Sequence, residues 1–168
     1  MNAIALNGAS NPAGPSNLPV VHGLDYAFLQ VRQFHQAFNH PCPDKPTMQP
    51  LEKAEARADW LREECQELQD ARTLKDQADA YTDIMYFALG GMVECGLLPQ
   101  AIFDCVQIAN MAKLHTDADG NTYVVRDENR GGKIVKPEGW EENHAPERHI
   151  AAEIERQSIT QPLNAMTA

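Results

Sequence analysis

Apolar residues recur at helical spacing from about residue 25 to residue 113, and the gaps between these runs are rich in proline and glycine. Phe28, Val31, Phe34 and Phe38 lie three or four residues apart, which predicts a first helix over about Asp25 to Phe38. The stretch PCPDKPTMQP follows, with prolines at 41, 43, 46 and 50. Proline lacks an amide proton and fixes φ, so this stretch is a loop. A second helix spans about Leu51 to Ala71, with an apolar stripe of Leu51, Ala54, Ala58, Leu61, Cys65 and Leu68. After the break RTLK, a third helix runs from about Leu74 to Cys95. Its start resembles a capping box, with Thr73 as the cap and Asp76 three residues on. Its stripe is Ala78, Tyr81, Met85, Ala88, Leu89 and Met92, with Gly90 and Gly91 inside. Each glycine weakens a helix by about 1 kcal/mol relative to alanine, so the pair predicts a close helix contact or a bend. GLLP ends this helix. A fourth begins at Pro99, a favoured first helical residue, and reaches about Lys113.

Beyond Lys113 the pattern changes. An Asp-Gly turn signal, a β-like run from Thr122 to Val125 and Gly131-Gly132 predict a small hairpin or an extended arm. From Glu141 onward the chain is polar, with a short helix expected around His149 to Gln157. Residues 1–22, rich in Asn, Pro, Gly, Ser and Ala, read as a flexible lead-in. No internal repeat is present. The expected organisation is a lead-in over 1–22, a helical domain with its arm over 23–142 and a polar tail over 143–168. Four helices with short connections predict an all-α, four-helix bundle-like fold. The second and third helices should form an antiparallel hairpin.

Composition narrows the function. The 168 residues suit one domain, and 43% hydrophobic with 23% charged residues is ordinary for a globular chain. A net charge of −10 disfavours nonspecific nucleic-acid binding, because a phosphate backbone would be repelled. Cys42, Cys65, Cys95 and Cys105 form no C-x-x-C pair, which argues against a zinc ribbon or a disulfide scaffold and for reduced thiols. There is no charged segment leading into an apolar one at the N-terminus and no apolar run of about 18 residues. The expectation is a soluble cytoplasmic protein that does not engage membranes.

The chemistry concentrates in LREECQELQD, Leu61 to Asp70, where Glu64 falls beside Leu61, Cys65 and Leu68 on a helix. Glu64 and Glu67 are three apart, and Asp79 and Asp83 four apart, so each pair shares a helix face. At about 1.5 Å rise per residue, Glu67 and Asp79 lie about 6 and 8 Å from the interhelix turn, and Glu64 and Asp83 about 11 and 14 Å. The two pairs therefore approach each other across the hairpin. Two like charges about 4 Å apart cost roughly 4 kcal/mol at an effective dielectric near 20. Either the four acids turn into water, as acid-rich faces usually do, or a hard divalent cation, Mg²⁺ or Mn²⁺, lies among them. Asp59, Glu63 and Asp70 read as solvated surface, and Asp76 as a cap.

The segments EECQE, DAYTDIMYFALG, NMAK and GGKIVKPEGW together resemble the all-α nucleoside triphosphate pyrophosphohydrolases, the MazG-like and phosphoribosyl-ATP pyrophosphatase-like enzymes. The resemblance covers roughly residues 25–142 and is nearest to the single-domain group common in phage and bacterial genomes. The family pattern is E-x-x-E, a spacer, then E-x-x-D. Glu64 and Glu67 match the first half and Asp83 the final Asp. The chain departs at Ala80, where the commonest pattern has Glu, leaving Asp79 or Asp76 to complete the set.

The resemblance implies hydrolysis between the α and β phosphates, giving a nucleoside monophosphate and pyrophosphate in control of a nucleotide pool. It implies two or more Mg²⁺ or Mn²⁺ ions on Glu64, Glu67, Asp79 and Asp83, with Glu63 positioning or deprotonating a water. For the outer phosphates, Asn110 and Lys113 in NMAK and Lys133 and Lys136 in GGKIVK are the candidates. Lys113 also suits a helix C-terminus for its charge alone. Phe34, His35 and Trp140 are candidates for the base, although aromatics at helical spacing also serve as core. A (d)NTP substrate, a homodimer or homotetramer, and a cytoplasmic setting (the host's, for a viral protein) complete the expectation.

Other classes fare worse. A di-iron bundle needs two E-x-x-H motifs on core helices, and the one present, Glu141 to His144, lies in the polar tail. No phosphate-cradling glycine loop or nucleophile elbow occurs. A non-catalytic helical dimerisation or adaptor module remains the alternative.

Overall fold

A computed structural model describes residues 23–160. The lead-in over 1–22 lies outside the described residues, as does 161–168. The described chain is mostly helical and bundle-like, with α1 Leu24–Ala37, α2 Leu51–Asp70, α3 Leu74–Glu94, α4 Pro99–Met111, α5 Trp140–His144 and α6 Glu147–Ile159. Between α4 and α5, strand β1 (His115–Thr116) pairs antiparallel with β2 (Thr122–Tyr123), and β3 (Arg126–Asp127) with β4 (Lys133–Ile134). The arm is thus two minimal hairpins. Among the described residues no single helix is long and apolar enough to cross a membrane.

Local chemistry sets the boundaries. Thr73 Oγ1 accepts the Asp76 amide at 3.1 Å and caps α3. At the other end Gly96 has φ +61°, and the amides of Gly96 and Leu97 donate to the carbonyls of Val93 and Met92. These two reversed bonds form a Schellman motif, which needs a left-handed residue after the cap. A Cβ on Gly96 would stand 2.4 Å from the Lys45 carbonyl oxygen, so the proline loop passes directly over this corner. Thr47 N–H donates to Cys95 O at 2.9 Å and ties the loop there.

Packing runs mainly from α2 to α3, α3 to α1, α1 to α4 and α4 to α6, with α4 turned 117° from α3. Helix α2 therefore lies at the edge of the bundle and buries no residue fully. The core is Phe28, Leu29, Val31 and Val93, flanked by Cys42, Leu89, Met92 and Leu98. Several expected stripe positions lie elsewhere. Leu51, Ala54 and Cys65 are exposed, as are Ala78, Tyr81, Met85 and Ala88 on α3 and Phe34 and Phe38 on α1. Helical periodicity identifies a stripe but not which neighbour covers it, and the alanine-rich α3 has two faces apolar enough to qualify.

Helix α5 was not foreseen, and α6 runs longer than the expected 149–157. Gln157 explains its docking. Its side chain accepts the Leu98 amide at 2.9 Å and donates to the Leu98 carbonyl at 3.1 Å, satisfying both backbone groups at the α3–α4 corner.

Candidate active site

The α2–α3 seam has a seven-residue rhythm. On α2 its half-buried positions are Arg57, Leu61, Glu64 and Leu68, and on α3 the covered positions are Ala80, Asp83, Phe87, Gly90 and Glu94. Alternating steps of three and four are the spacing that keeps one helix face on an antiparallel neighbour. Two contacts fix the alignment. A Cβ on Gly90 would meet Arg57, and the Trp60 and Phe87 rings have centroids 5.8 Å apart. Four residues further toward the turn on each helix, Glu64 comes level with Asp83, and three more bring Glu67 level with Ala80.

Glu64 faces inward because it occupies a seam position between Leu61 and Leu68. Its Oε2 is sealed from solvent and has no hydrogen-bond partner. Loss of solvent raises the carboxyl above the ordinary glutamate range, and the fields of Glu67, Asp83, Glu63 and Asp79 push it the same way. Glu63, Glu67, Asp79 and Asp83 thus lie near enough to Glu64 to act on it electrostatically, whereas Asp76 does not figure among them. Asp83 is half-buried, while Glu63, Glu67 and Asp79 are exposed. Among the described residues, however, no three His, Cys, Asp or Glu side chains are grouped closely enough to cage an ion. The acids share a field rather than a preformed cage. Their donors are all carboxylate oxygens, one of them orphaned, and that set suits a hard divalent cation. Asp76 binds back to its own cap at Thr73, which lowers its carboxyl, first through the threonine side chain.

Ala80 clarifies the departure in the acid pattern. It is 2% exposed and fills the seam at the level of Glu67. Asp79, one residue earlier, lies about 100° around the helix from it. Its carboxylate approaches from the rim, whereas a glutamate at position 80 would project from the seam.

The expected cationic and aromatic residues form two other groups. Lys113 donates to Asn110 Oδ1 at 2.6 Å. Lys113 and Lys136 lie 5.5 and 4.1 Å from the Trp140 ring centroid, and Lys136 also pairs with Glu141 at 2.5 Å. Trp140 is 5% exposed and its indole N–H donates to Ala109 O at 3.0 Å, so it pins the arm to α4 rather than offering an open ring face. This group sits on α4 and the arm, a different helix pair from the acids. Lys133 is exposed on β4, opposite Asp127.

On α1, His35 is buried, with Nδ1 3.0 Å from Pro41 O, and burial lowers its pKa. Phe34 remains at the surface, its ring centroid 4.4 Å from that of Phe38 and 6.0 Å from that of Tyr86. Tyr86 follows Asp83 by three residues, so this aromatic group lies one helical turn from the acids. Sequence reading did not single out Tyr86 or the pair Arg57 and Glu94. Arg57 stands seven residues before Glu64 and Glu94 eleven after Asp83, in phase with the acids; that phase was readable, the pairing was not.

The model of the family described as phosphoribosyl-ATP pyrophosphohydrolase matches residues 31–110, from the middle of α1 to near the end of α4. The matched span includes Glu63, Glu64, Glu67, Asp79 and Asp83. No curated protein matches the chain.

Proposed function

From the premise that residues 31–110 form a domain of the all-α superfamily that unites MazG-like and phosphoribosyl-ATP pyrophosphohydrolases, we propose that this chain hydrolyses a nucleoside or deoxynucleoside triphosphate between its α and β phosphates. Family membership supports a pyrophosphohydrolase acting on a nucleotide. The observation that carries the finer reading is the sealed, unpartnered oxygen of Glu64 amid four other carboxylates. An ionised carboxylate in that position destabilises the folded chain unless a cation balances it.

Glu64, Glu67, Asp79 and Asp83 would hold Mg²⁺ or Mn²⁺. When bound, such ions neutralise phosphate charge and lower the pKa of a coordinated water. Glu63, adjacent to Glu64 and open to solvent, orients or deprotonates the attacking water. The aromatic group of Phe34, Phe38 and Tyr86 offers ring faces to a base. Asn110 and Lys113 supply donors for the outer phosphates, and Lys133 is an exposed cation on the arm for the same purpose. Lys136 contributes once it leaves Glu141.

The test is a panel of nucleoside and deoxynucleoside triphosphates with Mg²⁺, together with phosphoribosyl-ATP, scored for pyrophosphate release. Release from one or more substrates, lost in Glu67→Gln, is expected. A chain that releases no pyrophosphate and shows no change in melting temperature with millimolar Mn²⁺ is an adaptor module instead, since an ion that binds the folded state alone must raise that temperature.

A further inference from the structure

Helix α2 is held to α3 by little apolar surface. It buries no residue fully; of its four seam positions only Leu61 and Leu68 are apolar, the other two being the charged Arg57 and Glu64, and the Trp60–Phe87 ring contact adds apolar packing at the seam's margin. With half of its α2 positions charged and small residues opposite, apolar packing along this seam specifies the alignment weakly, and the contacts near Arg57 and Trp60 have to fix it. The short link at 71–73 restrains only the end near the turn.

At the far end stands a buried ion pair. Arg57 Nη2 lies 2.8 Å from Glu94 Oε1, with the two side chains 11% and 6% exposed. Gln49 Nε2 donates to Glu94 Oε2 at 3.0 Å and to Gly91 O at 3.2 Å, so the second carboxylate oxygen is also engaged. The Arg57 guanidinium lies 4.9 Å from the Trp60 ring centroid. Gly90 leaves room for it, since a Cβ there would come within 2.6 Å of Arg57 Nη1 and 3.4 Å of His35 Nε2. Four parts of the fold thus converge on one charge pair: α1, the proline loop, α2 and α3. A buried pair is a poor source of net stability compared with apolar packing, and its best-attested use is to fix register.

We propose that Arg57–Glu94 is a register lock, holding α2 against α3 at the alignment that sets Glu64 level with Asp83. Arg57 and Glu94 are then positioning residues for the hydrolysis proposed above. They touch none of the acids, because Arg57 lies about 10 Å along α2 from Glu64 and Glu94 about 16 Å along α3 from Asp83. They act through two stiff helices. A slip of one turn would carry Glu64 about 5.4 Å away from Asp83 and divide the acids between two levels. The catalytic part of this inference rests on the proposed activity; the register part rests on geometry alone.

The experiment compares the full-length wild-type chain with Arg57→Met/Glu94→Leu and with Glu94→Gln. Spin labels at positions 66 and 82, both exposed, report the α2–α3 distance in a background whose four native cysteines are serine. Wild type should give one narrow distance. The apolar double variant should stay folded, with a melting temperature at or above that of wild type. Its distance should nevertheless broaden or shift by up to about 5 Å. Its kcat should fall about a hundredfold, with KM changed far less. Glu94→Gln keeps the shape and the contact with Gln49 but not the charge, and should broaden the distance as well. A double variant with wild-type distance and wild-type kcat overturns the lock. If the double variant does not fold, a narrow wild-type distance in Glu94→Gln overturns it. If wild type releases no pyrophosphate, the functional reading fails by itself, and the distances still decide the register.

Discussion

Glu64 concentrates what is unusual about this chain at the scale of one residue. A carboxylate at a seam position, with one oxygen sealed and other acids around it, holds its proton more tightly in the folded chain than in the unfolded one. Stability from this group therefore falls as pH rises through the window between the ordinary glutamate value and the raised one. Acidification through that window restores it. Metal-free Glu64→Gln should melt higher than wild type at neutral pH, and the difference should shrink on acidification; differential scanning calorimetry across pH reads both. The same variant should lose the Mn²⁺-induced rise and roughly a hundredfold or more in pyrophosphate release, the scale set by removing one preorganised electrostatic group. His35 has the opposite sign. Burial lowers its pKa, so the folded chain binds that proton less well, and stability falls as pH drops below the ordinary histidine value. His35→Gln should flatten that acid-side loss.

Two adjacent glycines at the scale of the element separate backbone propensity from packing. Gly91 has room, since its added Cβ would sit 3.7 Å from Arg57 Cγ, an ordinary contact. Gly91→Ala should stabilise the chain by about 0.5–1 kcal/mol through helix propensity alone. Gly90 meets the pinned guanidinium at 2.6 Å. Gly90→Ala should destabilise by about 1 kcal/mol net, the overpacking strain exceeding the propensity gain. Urea unfolding of both variants checks the contrast, and a stabilised Gly90→Ala would mean that Arg57 is free to move. Gly96→Ala should be worse than either, because it places a Cβ in the left-handed region against a backbone oxygen. The helices themselves were readable, with each of the first four found within two residues of the expected ends. Stop signals such as Pro50, Pro99 and the Gly96 turn act locally, so one sequence suffices to place them. Helix α5 was missed because four of its five residues are polar, and the one that holds it, Trp140, binds a carbonyl 31 residues away.

At the scale of the molecule, much apolar surface is left uncovered among the described residues. Ile108 is 70% exposed, and Tyr81 and Met85 are each 57% exposed. Apolar faces of this extent mark association surfaces, and we expect a second copy of the chain to cover them. Light scattering should give at least twice the 18.7 kDa of one chain. Met85→Glu should shift the population toward the single chain if α3 lies in the interface, and a monomeric wild type would refute the expectation.

Sequence alone determined the first four helices, the pairing of α2 with α3 and the placement of Glu64, Glu67, Asp79 and Asp83 on those two helices. All of these follow from spacing, helical rise and local stop signals, which act over a few residues. Tertiary structure alone decided which apolar stripe became core, that Ala80 fills the seam where Asp79 can only reach from the rim, and that Trp140 is a buried pin. It also decided that Arg57 meets Glu94 across 37 positions of chain. Those outcomes depend on which neighbour covers each face, and periodicity within one helix carries no record of the helix beside it.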